Sequence, residues 1–271
     1  MSTQTTSPVI AVVGATGNQG SGVIQALLAS KTPDGGLWYV RAITRDPNSS
    51  RAKQFLCDNQ TSDNRLSLVS GDTYDKDSLQ EAFAGAYGVF AMTSETNAGR
   101  VLENEEDMKH EVEAGQNMVL AAEECGVKHF VFSTLPDMIK ATGGRYVNIH
   151  HMDNKHEVEK FARERLSGGF TGLIPGLHVP SLTVQHTLIL TPMQDSFIAI
   201  CVGHNTVPGE VSSARYLQVT SYIPKVQTNR GNIVADGVIR FGIPMPSAQV
   251  AQWTDPIYDM GTFAASKFHP P

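Results

Sequence analysis

No lysine or arginine cluster longer than a pair occurs along the 271 residues, and the formal charge is -6 with histidine neutral. Binding nucleic acid through its phosphates needs a basic face, so direct nucleic-acid binding is not expected. Cysteine is scarce as well. Cys57, Cys125 and Cys201 are isolated and odd in number, which suits neither a disulfide framework nor a zinc ribbon and makes a reducing interior, the cytoplasm, the simplest compartment. Long apolar runs are missing: the longest, FIAICV at 197–202, is far too short to span a bilayer. The polar start MSTQTTSP lacks the charged and apolar regions of a signal peptide, and residues 1–8 are expected to be disordered. Charged residues make up only 18% of the chain against 41% hydrophobic ones, which argues against disorder of the whole. Neither internal repeats nor low-complexity segments occur. The length suits one large α/β domain, or a domain with a smaller companion, able to bury a sizeable core.

The stretch VIAVVGATGNQGSGVIQALL at 9–28 organises the rest. A short β-branched run reads as a buried strand, and Val23, Ile24, Leu27 and Leu28 follow at helical spacing. Gly14, Ala15, Thr16, Gly17, Asn18, Gln19 and Gly20 therefore sit where a strand hands over to a helix. Such a turn brings backbone close to a phosphate and aims helix N–H groups at it. The spacing is GxxGxxG, not the commoner GxGxxG, and an ordinary loop is the other reading.

A second strand, 37–44, closes on Arg45-Asp46-Pro47. In a doubly wound sheet that position faces the adenosine ribose, and an arginine there favours NADP over NAD, with Asn48, Ser49 and Arg51 nearby. A solvated charge partnered by Asp46 is the other reading. Helix 51–59 and strand 66–69 follow, then a short helix capped by Asp75 or Asp77 and a strand at 87–92. The longest helix is expected at 103–124, with Met108, Val112, Val119 and Ala122 on its apolar side and Gly126 as its stop. A strand at 128–133 completes five strands alternating with four helices, which predicts a doubly wound parallel sheet, an α/β Rossmann fold covered by helices on both faces. The polar strand ends Asp72-Thr73, Thr93-Ser94 and Ser133-Thr134 should line the carboxyl edge, where ligands bind in open α/β sheets; each pair could equally be a turn or cap.

Within 145–169, Val158, Phe161, Ala162 and Leu166 make a helical stripe that places Lys155 in or just before the first turn, on the side of Ser133. The helix dipole disfavours a cation there by roughly 0.3–1 kcal/mol, so the lysine invites a role, although a solvated side chain would look the same. His150, His151, Asp153 and His156 match no zinc spacing, and no metal is expected. A strand at 170–174 comes next. Residues 178–230 lack helical periodicity and read as short strands or a loose loop. Asp236-Gly237 suggests a hairpin turn between 233–235 and 238–241, and the closing WTDPIYDMGTFAASKF a short helix capped by Asp255 or Asp259.

With GATGNQG, TRDP, the GD at 71–72, the Thr93 strand end, FVFST and HHMDNKHEVEKF in place, the sequence resembles the NmrA-like family of atypical short-chain dehydrogenase/reductases over 9–176, and again from 236 to 268. The resemblance implies an NADP-binding Rossmann domain at 9–176 and a small, incomplete C-terminal substrate subdomain at 177–271 closing a cleft. It implies that residues 14–19 hold the pyrophosphate, Arg45 the 2′-phosphate, Thr93 the nicotinamide half and Lys155 the nicotinamide ribose. Three departures stand out. The position four before Lys155 is His151, so the tyrosine of ordinary short-chain dehydrogenases is missing, as it generally is in this family; related isoflavone-reductase-like enzymes move the proton with a lysine here. The family's aromatic residue and asparagine after the sixth strand are replaced by Leu177-His178-Val179-Pro180-Ser181. Residues 177–230 also exceed the family's connection, and relatives continue with further helices. An altered reading frame or retained non-coding sequence produces such a pattern, and sequencing the mature transcript tests that.

Two functions follow as expectations. One is a reductase in which NADPH delivers hydride to a small carbonyl, enone or aryl substrate, with Lys155 positioning the substrate or transferring the proton and Ser133 and His151 behind it. The other is an NADP(H) sensor that controls a protein partner such as a transcription factor, and would then reach the nucleus as well.

Overall fold

The computed structural model describes residues 7–97, 99, 101–166, 169–175 and 257–268 with their side chains, and the backbone of strands at 177–178, 186–193, 196–203, 232–233, 239–240 and 253–254. Residues 1–175 with 256–271 form one compact unit, and 176–255 a second.

In the first unit, β1 (Val9–Val12), β2 (Tyr39–Thr44), β3 (Leu66–Ser70), β4 (Gly88–Met92), β5 (His129–Ser133) and β6 (Phe170–Leu173) form a six-stranded sheet in the order β3-β2-β1-β4-β5-β6. Every pairing is parallel, the doubly wound order with its switch point between β1 and β4. Between the strands lie α1 (Asn18–Ala29), α2 (Ser50–Asn59), α3 (Lys76–Phe83), α4 (His110–Glu124), the short α5 (Met138–Ala141) and α6 (His150–Arg165). The apolar runs are continuous because both faces are covered. Alternate residues then serve alternate cores: Ala11, Val89, Phe130 and Phe132 join Leu79, Phe83, Met118 and Val158, while Ile10, Val12, Phe90 and Val131 join Val23, Ile24, Leu27 and Trp38.

Several boundaries differ from the sequence reading, each for a local reason. The acidic segment before α4 is a turn, since Asp107 Oδ2 accepts from the backbone of Glu103 and Asn104 at 3.0 and 3.3 Å; a single 3₁₀ turn (Asp107–Lys109) then leads into the helix. Helix α6 begins at His150, earlier than the start beside Lys155 that the apolar stripe suggested; Gly143 and Gly144, with φ of +62° and +81°, and Thr142 Oγ1, which accepts from Tyr146 N at 3.2 Å, hold the preceding segment in a turn. Lys155 consequently occupies the second turn, clear of the helix start. Asp75 is the cap of α3, accepting from the backbone of Asp77 and Ser78.

In the second unit, taken alone, β7 (Leu177–His178) pairs in parallel with β12 (Trp253–Thr254). The strands β8 (His186–Met193), β9 (Ser196–Gly203), β10 (Asn232–Ile233) and β11 (Ile239–Arg240) make an antiparallel sheet in the order β10-β11-β9-β8. Short strands thus answer part of the segment that lacked periodicity. Ile233 pairs with Ile239, while the Asp236-Gly237 turn expected between them lies outside the described residues. So do residues 1–6 of the expected disordered start, Asp255, and all of 204–231.

The closing helix α7 (Tyr258–Ser266), grouped above with a C-terminal substrate subdomain, belongs to the first unit. Its Met260, Ala264, Ala265 and the following Phe268 are buried in the core that α1 covers. Ile257 precedes it without a side-chain cap, and Asp259, expected as a cap, falls inside the first turn. Among the described residues no helix is long and apolar enough to cross a membrane.

His129 on β5 supplies a pH dependence. Its ring lies 6.0 Å from that of Phe268, and burial holds its pKa below the ordinary 6.5. The unfolded chain therefore takes up a proton that the folded imidazole resists, so stability is full above the ordinary value and falls as pH drops through it. The urea midpoint should decline between about pH 7.5 and about pH 5.5, and the slope should be shallower in His129→Phe; equal slopes would contradict this.

Candidate functional site

The carboxyl edge of the sheet begins with the glycine turn after β1. Gly14 has φ +69°, and a Cβ there would press on Met92 Sδ at 3.0 Å. A Cβ at Gly20 would lie 2.7 Å from the Gly14 carbonyl carbon, so α1 is packed onto the turn as only glycine allows. Gly17 N donates to Gly14 O at 2.9 Å, and Gly17 stands at the N-cap with no side-chain cap and no acid in the first turn. The helix start is thus a cradle of backbone N–H groups undisputed by a local carboxylate, which fits a pyrophosphate. Ala15, Gln19 and Gly20 are buried, whereas Gly14 and Asn18 are exposed. Arg51, expected near Arg45, instead donates from Nη2 to Thr16 O at 3.0 Å and ties this loop to α2.

At the end of β2 Arg45 is exposed. The next residues organise themselves: Asp46 Oδ1 accepts from Asn48 N at 2.9 Å, and Ser49 caps α2, its Oγ accepting from Ala52 N at 3.3 Å. Ser49 therefore acts locally as a cap, and Arg45 is an exposed cation at this corner. After β3, Asp72 Oδ1 accepts from Tyr74 N at 3.0 Å and Thr73 O accepts from Asn117 Nδ2 at 3.1 Å, which fixes the turn against α4.

The densest polar constellation lies between β4, α4 and α6. Thr93, buried just past β4, donates to Glu111 Oε1 at 2.7 Å, and Lys155 Nζ donates to the same oxygen. The side chains of Glu111 and Lys155 are 1% and 15% exposed, so the pair is largely dry. The close approach of the two helices makes it reachable: a Cβ at Gly115, one turn beyond Glu111, would lie 2.6 Å from Val158 Cγ1, and Val158 is nearly one turn beyond Lys155. His151 contributes its carbonyl, 3.4 Å from Lys155 Nζ, and is itself exposed. The expected pairing of Lys155 with Ser133 is not what the structure brings together. Ser133 is buried at the end of β5, and the neighbouring Thr134 Oγ1 bonds the Lys155 carbonyl at 3.3 Å, tying strand to helix backbone. Ser94 is exposed and bonds Thr96.

Beside this cluster opens a cavity of about 500 Å³ lined by Glu95, Leu102, Met108, Glu111, His151 and Asn154, among others. Its wall is braced by Asn154 Nδ2, which donates to Met108 O at 2.8 Å, and by buried His110, which bonds the Tyr74 hydroxyl at 2.7 Å and the Glu95 carbonyl at 3.3 Å. Sequence reasoning missed Glu111, His110, Tyr74 and Asn154. The signal for Glu111 was present: it shares the helical phase of Gly115, Met118 and Ala122, where a carboxylate must be buried.

The sequence profile of the NmrA-like family matches residues 6–196. The chain belongs to this family. Among its relatives, the NmrA-like family domain-containing oxidoreductase FrzB of Cladobotryum sp is 35% identical over 167 residues, 62% of this chain and 45% of that protein. The NmrA-like family domain-containing oxidoreductase malD of Malbranchea aurantiaca is 34% identical over 62% of this chain and 46% of its own length. This NmrA-like chain thus spans slightly under half the length of these curated relatives. Among solved structures, the Citrobacter sp. triphenylmethane reductase complexed with NADP(H) aligns at 24% identity with a TM-score of 0.47, over 65% of this chain and 52% of that one. The glycine turn, Arg45 and the Thr93–Glu111–Lys155 cluster all lie within the part that carries the NmrA-like match, whereas α7 lies beyond it.

Proposed function

We propose that the chain binds NADP(H) and is an NADPH-dependent oxidoreductase acting on a small carbonyl, enone or aryl substrate. One observation carries the reading: a glycine cradle at the start of α1 and a lysine fixed by a buried carboxylate stand on the same carboxyl edge of a doubly wound sheet. The naming of the relatives as oxidoreductases supports it. In this reading backbone N–H groups around residues 14–20 bind the pyrophosphate and Arg45 binds the 2′-phosphate, with Asn48, Ser49, Asp72, Thr73, Thr93 and Ser94 around them. The nicotinamide supplies hydride when bound. Lys155, held by Glu111, donates to the substrate oxygen and provides the proton that oxygen needs; His151 stands at the cavity rim, and Ser133 anchors the strand end.

Titration with the two cofactors tests the binding half. Arg45→Glu should weaken NADPH binding by about 10- to 100-fold, the worth of one to two charge-assisted contacts, and leave NADH nearly unchanged. Equal loss for both, or for neither, removes Arg45 from the 2′-phosphate. A panel of aldehydes, ketones and enones tests the chemistry: NADPH consumption with at least one member, abolished in Lys155→Arg while NADPH still binds, is the expected result, and no consumption with any member counts against an enzyme. His151 in the place of a tyrosine favours a second reading, a sensor whose partner affinity depends on bound NADP(H). Partner affinity that is the same with and without saturating cofactor overturns that one.

A further inference from the structure

Among the described residues, one hydrogen bond joins residues 94–97 to another element: buried His110, the first residue of α4, holds the Glu95 carbonyl at 3.3 Å from its Nε2. The other bonds of this loop are its own, from Ser94 Oγ to the hydroxyl and the backbone N–H of Thr96. Glu95, Thr96 and Asn97 line the cavity of about 500 Å³, so one imidazole places that part of its wall. The ring is aimed in turn by Tyr74. A carbonyl only accepts, so Nε2 carries the ring proton; Nδ1 is left as an acceptor, and the Tyr74 hydroxyl donates to it at 2.7 Å. Burial, with the carboxylates of Asp72, Glu111 and Glu113, raises the pKa of this phenol above the ordinary 10.0 and keeps its proton available to His110.

Tyr74 belongs to the other end of the site. Its turn follows β3 and is fastened to the end of β2, where Gly71 N donates to Thr44 O at 3.1 Å and Ser70 Oγ to Arg45 O at 3.5 Å. The Arg45 cation opposes the carboxylates in their effect on the phenol, which puts it within electrostatic reach of Tyr74. Tyr74 is also 37% exposed, so a ligand at this corner has part of it to cover.

We propose that Tyr74 and His110 are positioning residues that make the cavity wall depend on the adenosine end of the cofactor site. A ligand on Arg45 restrains Tyr74, Tyr74 steadies the His110 ring, and His110 holds the loop at Glu95. The inference rests on the NADP(H) reading for what occupies Arg45. A loop hung on one buried hydrogen bond has two states, held and released, and a group that favours one of them from a distance shifts the loop. That single bond also bounds the effect, at about 2- to 12-fold in the population of the released state.

The test is hydrogen exchange of the full chain, read by mass spectrometry on the peptide spanning 94–97, with and without adenosine 2′,5′-bisphosphate. This probe carries the 2′-phosphate and has no nicotinamide to touch the cavity itself. At saturation, confirmed by calorimetry, it should slow exchange at 94–97 by about 2- to 12-fold. Tyr74→Phe removes the hydroxyl and keeps the ring; with the probe again at saturation, the slowing should vanish. His110→Leu should speed exchange at 94–97 in the free chain and also abolish the probe's effect, which keeps the proposal open to refutation if Tyr74→Phe fails to fold. Residues that merely brace the wall would change the exchange rate equally with and without the probe and leave the ratio intact. A ratio that persists in either variant overturns the proposal. Binding of the probe without slowing in the natural chain overturns the coupling alone, whereas no binding of the probe overturns the NADP(H) reading and the coupling with it.

Discussion

Lys155→Met lowers the unfolding free energy by about 3–5 kcal/mol, the cost of leaving one member of a buried ion pair without the other. The size follows from the asymmetry of the pair. Glu111 is 1% exposed, and without the ammonium its charge would have only the Thr93 hydroxyl, at 2.7 Å, against the desolvation of a full carboxylate. Removing both charges reverses most of the loss. In Glu111→Gln with Lys155→Met the site is neutral and the introduced amide oxygen would still accept from Thr93, so the double variant should be more stable than Lys155→Met alone. A control is at hand in Lys109 and Glu157, which bridge the 3₁₀ turn before α4 to α6 at 3.0 Å but are 52% and 50% exposed; Lys109→Met should leave the urea midpoint where it is. Additive losses in the cycle, or a Lys155→Met variant as stable as the natural chain, would show that the pair is not coupled. The same cycle separates stability from chemistry, since a cofactor site built on α1 should survive in the double variant while turnover does not.

That cluster also marks where sequence reasoning reaches its limit. The Rossmann unit was legible because its signals are local: a β-branched run, a glycine turn and a helical stripe follow one another within residues 9–28, and the alternation repeats along the chain. Lys155 was singled out for a place at the helix start, where the dipole disfavours a cation, whereas it stands in the second turn of α6. Its partner was not singled out. Ser133 was the natural expectation, at a strand end expected on the ligand edge, whereas Glu111 lies 44 residues before Lys155 in the long helix, where no acid was singled out. Only the packing of α4 on α6 through Gly115 and Val158 brings the two together, and glycine in a helix reads from sequence as a weak point, not as a contact. Arg51 and Ser49 show the same thing on a smaller scale. Both were placed near the right corner, yet one holds the glycine loop and the other caps a helix. The second unit was hardest, because among the described residues strands 186–193 and 196–203 pair with each other, and 196–203 with a short segment at 239–240 far along the chain.

Gly22→Val should be the most damaging substitution on the cofactor side of the sheet, although residue 22 touches no phosphate in the proposed site. A Cβ there would lie 2.6 Å from the carbonyl carbon of Ile257, and one at Gly261 would lie 2.5 Å from the carbonyl carbon of Gly22, so α1 and α7 cross backbone to backbone. No rotamer change relieves an overlap with main chain; α7 must move as a whole. With it go Met260, Ala264, Ala265 and Phe268, all buried, and the ring of Phe268 lies 6.5 Å from that of Trp38. Losing a buried phenylalanine alone costs about 3–5 kcal/mol, so a loss of at least that size is expected in urea unfolding. Emission from Trp38, 1% exposed in the folded chain, should shift to the red before the main transition as α7 detaches. Gly20 is two residues away on the same helix, so the cradle loses its support and NADPH affinity should fall together with stability. Unchanged Trp38 emission and an unchanged urea midpoint would refute the backbone contact. Stability lost with NADPH affinity intact would instead confine α7 to the core and free the cradle from it.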